Sequence, residues 1–332
     1  MKKIVIIGAT GNTGTYLTEY LLENLNLLEY QIIAVGRRKT DFFNKYGIKY
    51  YQIDISKKEE FEKLPQAEIY GVIFLAAVLP AYMEGYSPES YISTNIIGAF
   101  NVLEYCRKSK CDRIIYPQTE SDLSEYWDKI FKISPNLPRN FKYKGDHALY
   151  TISKNTAVDM IEHYNQTYGI KNFILRCPSI YSYSKNPYYY VNGKKQVLGY
   201  RQIIDKAIKG EEIELWGDPN RAKDIVYVKD FCQMIFKMLI TKKVNKGIYN
   251  MGTGKAISLQ EQIEGIIEVF SPRNKKSKIK YCPEKPNSRN FVMDISNAIE
   301  ELDYKPKYSY LDYLKDFKKE MELDRFQELR GE

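Results

Sequence analysis

The fold is decided by a stretch near the N-terminus, Ile4-Val5-Ile6-Ile7-Gly8-Ala9-Thr10-Gly11-Asn12-Thr13-Gly14. Four consecutive apolar residues, most of them β-branched, predict a strand that is buried on both faces. Glycines then recur every third residue, and positions 16–28 have the apolar spacing of a helix. A strand, a glycine turn and a helix direct backbone N–H groups at a phosphate, which side chains on the turn would keep away. The glycines alone could form a tight turn and no more. In this context they predict a dinucleotide site contacted by Gly8, Thr10, Gly11, Asn12, Thr13 and Gly14.

The bulk composition is that of a globular protein. The chain has 332 residues, 44% apolar and 28% charged, enough for one large domain or two modest ones. We expect no membrane association, because no segment reaches the roughly 18 uncharged apolar residues of a membrane helix. We also expect no signal peptide, because the first strand starts at the N-terminus. Five scattered cysteines without a C-x-x-C pair and two histidines predict no metal site and reduced thiols in the cytoplasm.

The formal net charge of +8 raises the question of a nucleic-acid partner. The lysines are interleaved with acidic residues and form no basic block, so we expect no nucleic acid. The charge instead indicates a solvated surface that favours anionic ligands.

Strands and helices alternate through residue 177. A long helix is predicted at 88–109, and further apolar strands at 31–35, 48–53, 72–77 and 113–116. This alternation predicts βαβ units and therefore an α/β fold with a doubly wound parallel sheet of the Rossmann type.

The division into domains is expected near residue 177. Residues 1–177 would form the dinucleotide-binding domain and 178–332 a smaller, mixed α/β substrate domain. We expect the chain to return to the first domain around 218–255. Within the second domain, 181–192 is predicted to be a loop and 310–329 a helix.

The second strand ends at Gly36-Arg37-Arg38-Lys39, where a dinucleotide site meets the adenosine ribose. No acidic residue stands there to accept the ribose hydroxyls. Arg37 and Arg38 offer bidentate donors to a 2′-phosphate or a plane for adenine. We therefore expect NADP(H) in preference to NAD(H), although the arginines could also form a solvated basic loop. Asp54, after the third strand, could accept the adenine amino group or cap the next turn beside Ser56.

A tyrosine and a lysine four residues apart are the candidate catalytic pair. Tyr150 and Lys154 lie on the same face of a helix that runs to about residue 168. A tyrosine with a reference pKa near ~10 is a poor base, but a nearby ammonium and a positively charged nicotinamide favour its phenolate. Tyr150 could then exchange a proton with a sugar or alcohol hydroxyl during hydride transfer, while Thr119 holds the same oxygen. Taken alone, this spacing is more typical of a surface pair.

Together these motifs resemble the extended short-chain dehydrogenase/reductase superfamily, that is, the NAD-dependent epimerase/dehydratase family of sugar-nucleotide enzymes. The resemblance runs to about residue 320. Besides the glycine turn and the tyrosine–lysine pair, it includes in order Asp54-Ile55, Leu75-Ala76-Ala77, 95–103, Leu175-Arg176, Ile180-Tyr181, Trp216-Gly217-Asp218, 223–228, 249–254 and Asp294-Ile295-Ser296. It implies a cofactor in the N-terminal half and a nucleotide-diphosphate sugar against the C-terminal half.

Individual roles follow from the resemblance, position by position. Thr119, Tyr150 and Lys154 match the catalytic residues of the family. The implied cofactor contacts, besides those of the glycine turn and the arginine pair, are Asp54, Ile55, Leu75, Ala76, Ala77, Asn95, Tyr150, Lys154 and Cys177. The implied substrate contacts are Thr119, Glu120, Ser179, Lys223 (where the family usually has a diphosphate-binding arginine) and Arg289.

Two positions depart from the family pattern. Dehydratases of the family follow the catalytic threonine with two carboxylates, whereas Thr119 is followed by Glu120 and Ser121. Elimination of water is therefore in doubt. Ser179 stands where the family often has a substrate-contacting asparagine. These departures indicate an unusual sugar or an unusual outcome.

We therefore expect an epimerase that acts through a 4-keto intermediate, with hydride passing to and from the nicotinamide. The alternative is an NADPH-dependent 4-keto reductase, which the arginine pair favours, and a 4,6-dehydratase ranks third because of Ser121. A cofactor-sensing binding protein is the non-enzyme alternative. The helices at 88–109 and 146–168 could form the four-helix bundle through which the family dimerises, so a homodimer is expected.

Overall fold

The computed structural model describes residues 1–191 and 193–330. Its strands are β1 (Lys2–Ile7), β2 (Tyr30–Gly36), β3 (Lys49–Gln52), β4 (Ile69–Phe74), β5 (Arg113–Thr119), β6 (Lys132–Ile133), β7 (Lys171–Cys177), β8 (Ile180–Tyr181), β9 (Tyr188–Val191), β10 (Lys194–Val197), β11 (Ile213–Trp216), β12 (Ala222–Asp224), β13 (Val226–Tyr227), β14 (Lys246–Asn250), β15 (Ala256–Ser258), β16 (Ile279–Cys282) and β17 (Val292–Met293).

Its α-helices are α1 (Asn12–Asn24), α2 (Pro88–Ser90), α3 (Gly98–Lys108), α4 (Asp146–Tyr168), α5 (Gly199–Lys209), α6 (Val228–Ile240), α7 (Leu259–Phe270), α8 (Ser296–Leu302), α9 (Tyr310–Leu323) and α10 (Gln327–Arg330). A π-helical segment, Tyr91–Ile97, joins α2 to α3. Short 3-10 helices lie at Phe42–Tyr46, Lys58–Lys63, Pro80–Tyr82 and Glu120–Tyr126.

A seven-stranded parallel sheet forms the centre, in the order β14-β7-β5-β4-β1-β2-β3. Ile4 and Ile6 of β1 pack in the apolar cluster shared with α1 and α6. Val5 and Ile7 point the other way, into the cluster shared with α3 and α4. Burial on both faces explains the continuous apolar run of β1. The predicted doubly wound Rossmann sheet is confirmed.

The chain beyond β7 builds smaller mixed α/β structure against this sheet. β11 pairs with β16, β13 with β8 and β17 with β6, all in parallel, whereas β12 and β15 are antiparallel. Capping boxes start two of its helices, with Ser258 and Glu261 at α7 and Ser309 and Asp312 at α9. β14 returns to the edge of the central sheet, a strand that the periodicity of the sequence did not predict.

Several predicted boundaries near the site are wrong. α1 begins at Asn12, four residues before its apolar spacing starts, because the first turn follows the glycines directly. β4 ends at Phe74 rather than 77, and β5 continues to Thr119 because it stays paired with β7 to that residue. The helix predicted at 88–109 does have its expected bounds, since the chain is helical from Pro88 to Lys108, but Tyr91–Ile97 within it is π-helical.

Two predictions in the C-terminal half are also wrong. The segment predicted as a loop at 181–192 contains β9, which pairs antiparallel with β10. Asn192 lies outside the described residues. The predicted last helix at 310–329 ends at Leu323, because Asp324 adopts a left-handed conformation with φ of 41° before α10.

A buried arginine fastens the start of β5 to the end of α6. The Nη1 atom of Arg113 donates to the carbonyl oxygens of Met238, Leu239 and Thr241 at 3.2, 2.8 and 3.0 Å. These carbonyls lie at a helix C-terminus, where intrahelical donors run out and a positive charge is favoured.

We predict that Arg113→Leu lowers the free energy of unfolding by about 3 kcal/mol, because buried carbonyls lose their donor. Arg139→Leu is the control, since the ion pair between Arg139 and Asp159 is largely exposed and should contribute less than about 1 kcal/mol. Urea titration of both variants makes the measurement. Equal losses would contradict the assignment of Arg113 as an internal fastener.

Candidate active site

The glycine turn between β1 and α1 is closed by its own packing. Gly8 has a φ of +96°, and a Cβ there would lie 2.7 Å from the backbone nitrogen of Ala76. A Cβ at Gly14 would overlap the carbonyl oxygen of Gly8. Both positions therefore require glycine, and they leave bare backbone beside the first turn of α1. Such a cradle fits the pyrophosphate of a dinucleotide, whose oxygens suit backbone N–H groups and a positive helix end.

The other residues of this turn are differently exposed. Thr10 is buried against the end of β2, whereas Gly11 is exposed and Thr13 is half-buried. The side-chain amide of Asn12 donates to the hydroxyl of Ser182, just after β8. This contact ties the predicted cofactor turn to the segment that leads into the C-terminal half.

The two arginines after β2 lie in different surroundings. Arg37 is exposed and close enough to Asp54 to stabilise its carboxylate. Arg38 donates through Nη1 to the carbonyl oxygen of Leu329 at 2.8 Å. Burial raises the pKa of Asp54, but hydrogen bonds from the side chain and backbone of Ser56 (2.7 and 3.0 Å) outweigh it and the pKa falls. Asp54 therefore has the geometry of a turn cap, and Arg37 is the more accessible guanidinium.

Asn95 ties the end of β4 to α4. Its side-chain oxygen accepts the N–H of Val78 at 2.8 Å, and its amide donates to the carbonyl of Val78 and the hydroxyl of Ser153 at 3.1 and 3.0 Å. Asn95 lies in the π-helical segment, a local distortion often found at functional sites. Leu75, Ala76 and Ala77 are half-buried, and Ile55 is packed against the start of α3.

The predicted catalytic residues converge at the carboxyl end of β5. Thr119 is the last residue of that strand, while Tyr150 and Lys154 lie in the second and third turns of α4. The Thr119 hydroxyl is near enough to the Tyr150 phenol to lower the pKa of that phenol. In parallel α/β sheets, ligands bind outside the carboxyl ends of the strands. The arrangement can hold one substrate oxygen between a hydroxyl and a phenol.

Lys154 is buried, with only 5% of its surface exposed. Its Nζ atom lies 3.8 Å from the centroid of the Tyr116 ring, and no described residue accepts a hydrogen bond from it. Burial lowers its pKa to about 7, while the neighbouring Cys177 thiol acts in the opposite direction. A buried ammonium beside an aromatic face can still donate to a ligand, such as the hydroxyls of a nucleotide ribose.

The pKa of Tyr150 differs from the expectation. Burial raises it above the ordinary value, the nearby Glu120 and Cys177 raise it further, and only the contact with Thr119 lowers it. The predicted lowering by Lys154 is wrong for the protein alone, because the ammonium faces Tyr116 and is itself disfavoured by burial. A phenolate at this position therefore requires positive charge from a bound ligand.

A carboxylate and an arginine meet beside these residues. Nη1 of Arg289 lies 3.3 Å from Oε1 of Glu120, and the guanidinium is stacked 3.8 Å from the ring centroid of Trp127. Burial raises the pKa of Glu120, and the charge of Arg289 opposes that shift. Both residues were predicted to contact substrate, and the structure brings them together although they are distant in sequence.

The remaining predicted residues lie on β7, on β12 and between β7 and β8. Lys223 is half-buried on β12, with Nζ 5.8 Å from the ring centroid of Tyr181. Ser179 is exposed between β7 and β8. Cys177 ends β7, and its thiol is close enough to Lys154 for each to shift the pKa of the other.

Sequence reasoning missed a buried ion pair next to the site. Asp122 and Arg176 are almost inaccessible and bonded twice, at 3.0 Å from Nε to Oδ1 and 3.0 Å from Nη2 to Oδ2. Arg176 was noted only as part of a family motif, and no local spacing connects it to Asp122. Trp127 also escaped notice, because its role depends on the distant Arg289.

Fold and site together define a class: an α/β protein with a dinucleotide cradle and a phenol, a hydroxyl and a buried ammonium at the carboxyl end of its sheet. Residues 4–252 match the model of the NAD dependent epimerase/dehydratase family. The chain belongs to this family of enzymes, which leaves the cofactor-sensing alternative without support.

Individual relatives agree with this assignment. The chain is 28% identical to a putative UDP-glucose 4-epimerase of Methanocaldococcus jannaschii, covering 92% of this chain and 93% of the relative. Its fold is similar to that of the Thermotoga maritima UDP-glucose 4-epimerase solved with UDP-glucose (TM-score 0.74, 22% identity, 96% and 99% of the two chains). It is equally similar to the Bacillus anthracis dTDP-glucose 4,6-dehydratase solved with NAD (TM-score 0.73, 19% identity, 99% and 100%). At these identities the solved structures show the fold alone.

Two further properties of the described residues bear on function. None of the helices within 1–191 and 193–330 has the length and apolar character needed to span a bilayer. In the same part of the chain, no group of three or more His, Cys, Asp or Glu side chains could hold a metal ion.

We predict that Lys154→Met stabilises the protein without cofactor, and more so at low pH. The pKa of Lys154 is about 7 in the folded chain, below its unfolded value near ~10.4. The cost of the buried ammonium is therefore full below pH 7 and is lost as pH rises toward the unfolded value. The advantage of the variant should fall by about 2–3 kcal/mol from pH 6 to pH 9. Thermal or urea unfolding at both pH values measures it, and parallel pH profiles would contradict it.

Proposed function

We propose that the protein is an NAD(P)-dependent sugar-nucleotide epimerase that inverts a carbinol carbon through a 4-keto intermediate. The observation that carries this proposal is the convergence of three residues: Thr119 at the end of β5, Tyr150 on α4, whose pKa Thr119 lowers, and the buried Lys154 one turn further along α4. Full-length similarity to a putative UDP-glucose 4-epimerase supports the same reaction class.

The bound nicotinamide would supply the transfer of hydride from C4 of the sugar and its return to the opposite face. Thr119 holds the C4 oxygen by a hydrogen bond. Tyr150 takes the proton of the C4 hydroxyl when hydride leaves and gives it back when hydride returns, so protons balance. Lys154 donates to the cofactor ribose, which restores hydrogen bonding to its buried ammonium. Asn95 and Ser153 keep this helix in register with the end of β4.

The substrate is proposed to be a nucleotide-diphosphate sugar. Lys223 on β12 and Arg289 beside Glu120 are proposed to supply the positive charge that holds the diphosphate. Glu120 and Ser179 are proposed to contact the sugar. Glu120 is buried next to Thr119, and Ser179 is exposed between β7 and β8. Residues 1–177 would hold the cofactor, and the chain after 178 would hold the substrate.

The runner-up is an NADPH-dependent 4-keto reductase, which the exposed Arg37 favours because it suits a 2′-phosphate. A 4,6-dehydratase is less favoured. The residue two positions after Thr119 is Ser121, and the next carboxylate, Asp122, is held in both its oxygens by Arg176. The nucleotide that copurifies discriminates the first two, since a non-exchanging cofactor suits an epimerase and a readily exchanged one suits a reductase.

Association into a homodimer is proposed through the helices at 88–109 and 146–168. Ile92, Ile97, Phe100 and Tyr168 expose large apolar surfaces on these elements. Exposed apolar groups in one region are typical of an interface.

We predict that Tyr150→Phe lowers kcat at least ~100-fold on interconverted UDP-sugars or dTDP-sugars, because the proton has no carrier. Binding of UDP and of the cofactor should stay within about twofold, because the ring is kept. Tyr168→Phe, at the exposed end of the same helix, is the control. Product formation across a panel of sugar nucleotides measures both, and full activity of Tyr150→Phe would refute the proposed chemistry.

We further propose that NADP(H) is preferred over NAD(H), with Arg37 as the contact for the 2′-phosphate. Arg37→Ala should weaken NADP⁺ binding about tenfold and NAD⁺ binding hardly at all, because only the former loses a charge-assisted hydrogen bond. Lys39→Ala, also exposed on this loop, controls for net charge. Dissociation constants by calorimetry decide, and a preference for NAD⁺ in the wild-type protein and in Arg37→Ala alike would overturn the assignment.

A further inference from the structure

The structure assigns Asp128 as a positioning residue for Arg289. We infer that its carboxylate fixes the loop at 287–290, so that the arginine is presented to the substrate diphosphate. The inference rests on the proposed function, because it takes Arg289 to bind phosphate.

The Arg289 side chain is not fixed by its own contacts. Its side chain is 49% exposed, and its hydrogen bond to Glu120 is long, at 3.3 Å. The guanidinium also stacks on Trp127, with 3.8 Å from Cζ to the ring centroid, a contact that has no directional hydrogen bond. An exposed, flexible arginine loses conformational entropy when it binds a ligand, so prior restraint of its backbone strengthens binding.

Asp128 supplies that restraint from the segment that follows the catalytic strand. One oxygen, Oδ1, accepts the backbone N–H of Asn290 at 3.0 Å and also pairs with Nη2 of Arg221. Arg221 in turn donates from Nε to the carbonyl oxygen of Ser288. The carboxylate thus holds the residue after Arg289 directly and the residue before it through Arg221.

Two amide contacts hold the rest of the loop against the C-terminal half. The side-chain oxygen of Asn287 accepts the N–H of Asp218 at 2.8 Å, and that of Asn290 accepts the N–H of Ala222 at 2.9 Å. These bonds join the loop to its neighbours within the substrate half. Asp128 adds a hydrogen bond to the backbone of this loop from the segment that carries Thr119, Glu120 and Trp127, so it restrains the position of Arg289 relative to those residues.

The backbone of Asp128 adds a second reason to single it out. Its φ is +64°, in the left-handed region that most side chains avoid and that aspartate, asparagine and glycine tolerate. Glycine at this position removes the carboxylate without straining the backbone. Asparagine keeps the backbone and an acceptor oxygen for the N–H of Asn290, while it removes the negative charge.

The test compares Asp128→Gly, Asp128→Asn and Arg289→Ala in the full-length protein loaded with cofactor. UDP and dTDP are the binding probes, and the sugar nucleotide that the wild type turns over is the kinetic probe. We expect Asp128→Gly to raise the Kd of the probe that binds, and the KM, about fivefold to tenfold. The kcat should stay within about twofold, because the reacting groups are untouched. Asp128→Asn should recover only part of the loss, because it keeps an acceptor for the N–H of Asn290 but not the negative charge that pairs with Arg221.

Asp303→Gly is the matched control. Asp303 also has a left-handed conformation, with φ of 54°, and it pairs with Lys243 at 2.8 Å on the surface of α8. Its replacement therefore makes the same chemical change and should leave Kd and KM unaltered. Equal effects of Asp303→Gly and Asp128→Gly, or an equal loss of cofactor affinity in Asp128→Gly, would overturn the inference.

The variants distinguish the phosphate role of Arg289 from the positioning role of Asp128. If Arg289→Ala leaves the Kd of UDP and dTDP unchanged, the proposed phosphate role fails and the positioning role fails with it. If Arg289→Ala weakens binding and Asp128→Gly does not, the positioning inference alone is wrong. Should Asp128→Gly not fold, Asp128→Asn still decides, because loss of the pairing charge should raise KM measurably without a change in kcat.

Discussion

The carbonyl oxygen of Ile7 accepts hydrogen bonds from two consecutive backbone nitrogens, those of Leu75 and Ala76, at 2.8 and 3.0 Å. The two hydrogen bonds to this one oxygen lie where β1 and β4 separate. The strand order reverses its direction there: β2 and β3 lie on one side of β1, whereas β4, β5 and β7 lie on its other side. A crevice must open where neighbouring connections run to opposite faces of the sheet. Gly8 is pressed against Ala76 at its floor, so the position of the cofactor cradle is a consequence of the topology.

The candidate catalytic residues lie two strands away from β1, beside β5. Their burial removes solvation from their charged forms. Lys154, Tyr150 and Glu120 each have a pKa moved by burial in the direction that disfavours charge. Such groups destabilise the empty protein and become useful when a ligand supplies the missing charge or acceptor. Perturbed pKa values at a concave site are typical of functional residues. The protein thus keeps buried ionisable side chains at this site that packing alone would not favour.

The sequence predicted these features unevenly, and the reason is the range of the interactions. The β1 strand, the glycine turn and the tyrosine–lysine spacing are local patterns, so they were readable from consecutive residues. Asp122 and Arg176 were not paired in advance, because the fold joins them across 54 positions. β14 was missed for the same reason, since it becomes a strand by pairing with β7. The π-helical segment around Asn95 also depends on contacts with Val78 and Ser153 that periodicity does not encode.

The segment after β5 contains residues that local sequence patterns predicted and residues whose partners only the fold reveals. Thr119 begins it at the chemical centre, Glu120 and Trp127 receive the guanidinium of Arg289, and Asp128 holds the loop of that arginine. The ion pair of Asp122 with Arg176 lies inside the same segment and fastens it to β7. A buried, doubly bonded ion pair is a poor source of net stability, but breaking it is costly, so it restricts the segment to one position. Rigid placement of these ten residues, 119–128, therefore sets the distance between the oxygen that reacts and the charge that anchors a phosphate. Any ligand that spans the reacting oxygen and the phosphate-anchoring charge must match that distance. The fold therefore selects ligands by their length, independently of contacts with the sugar.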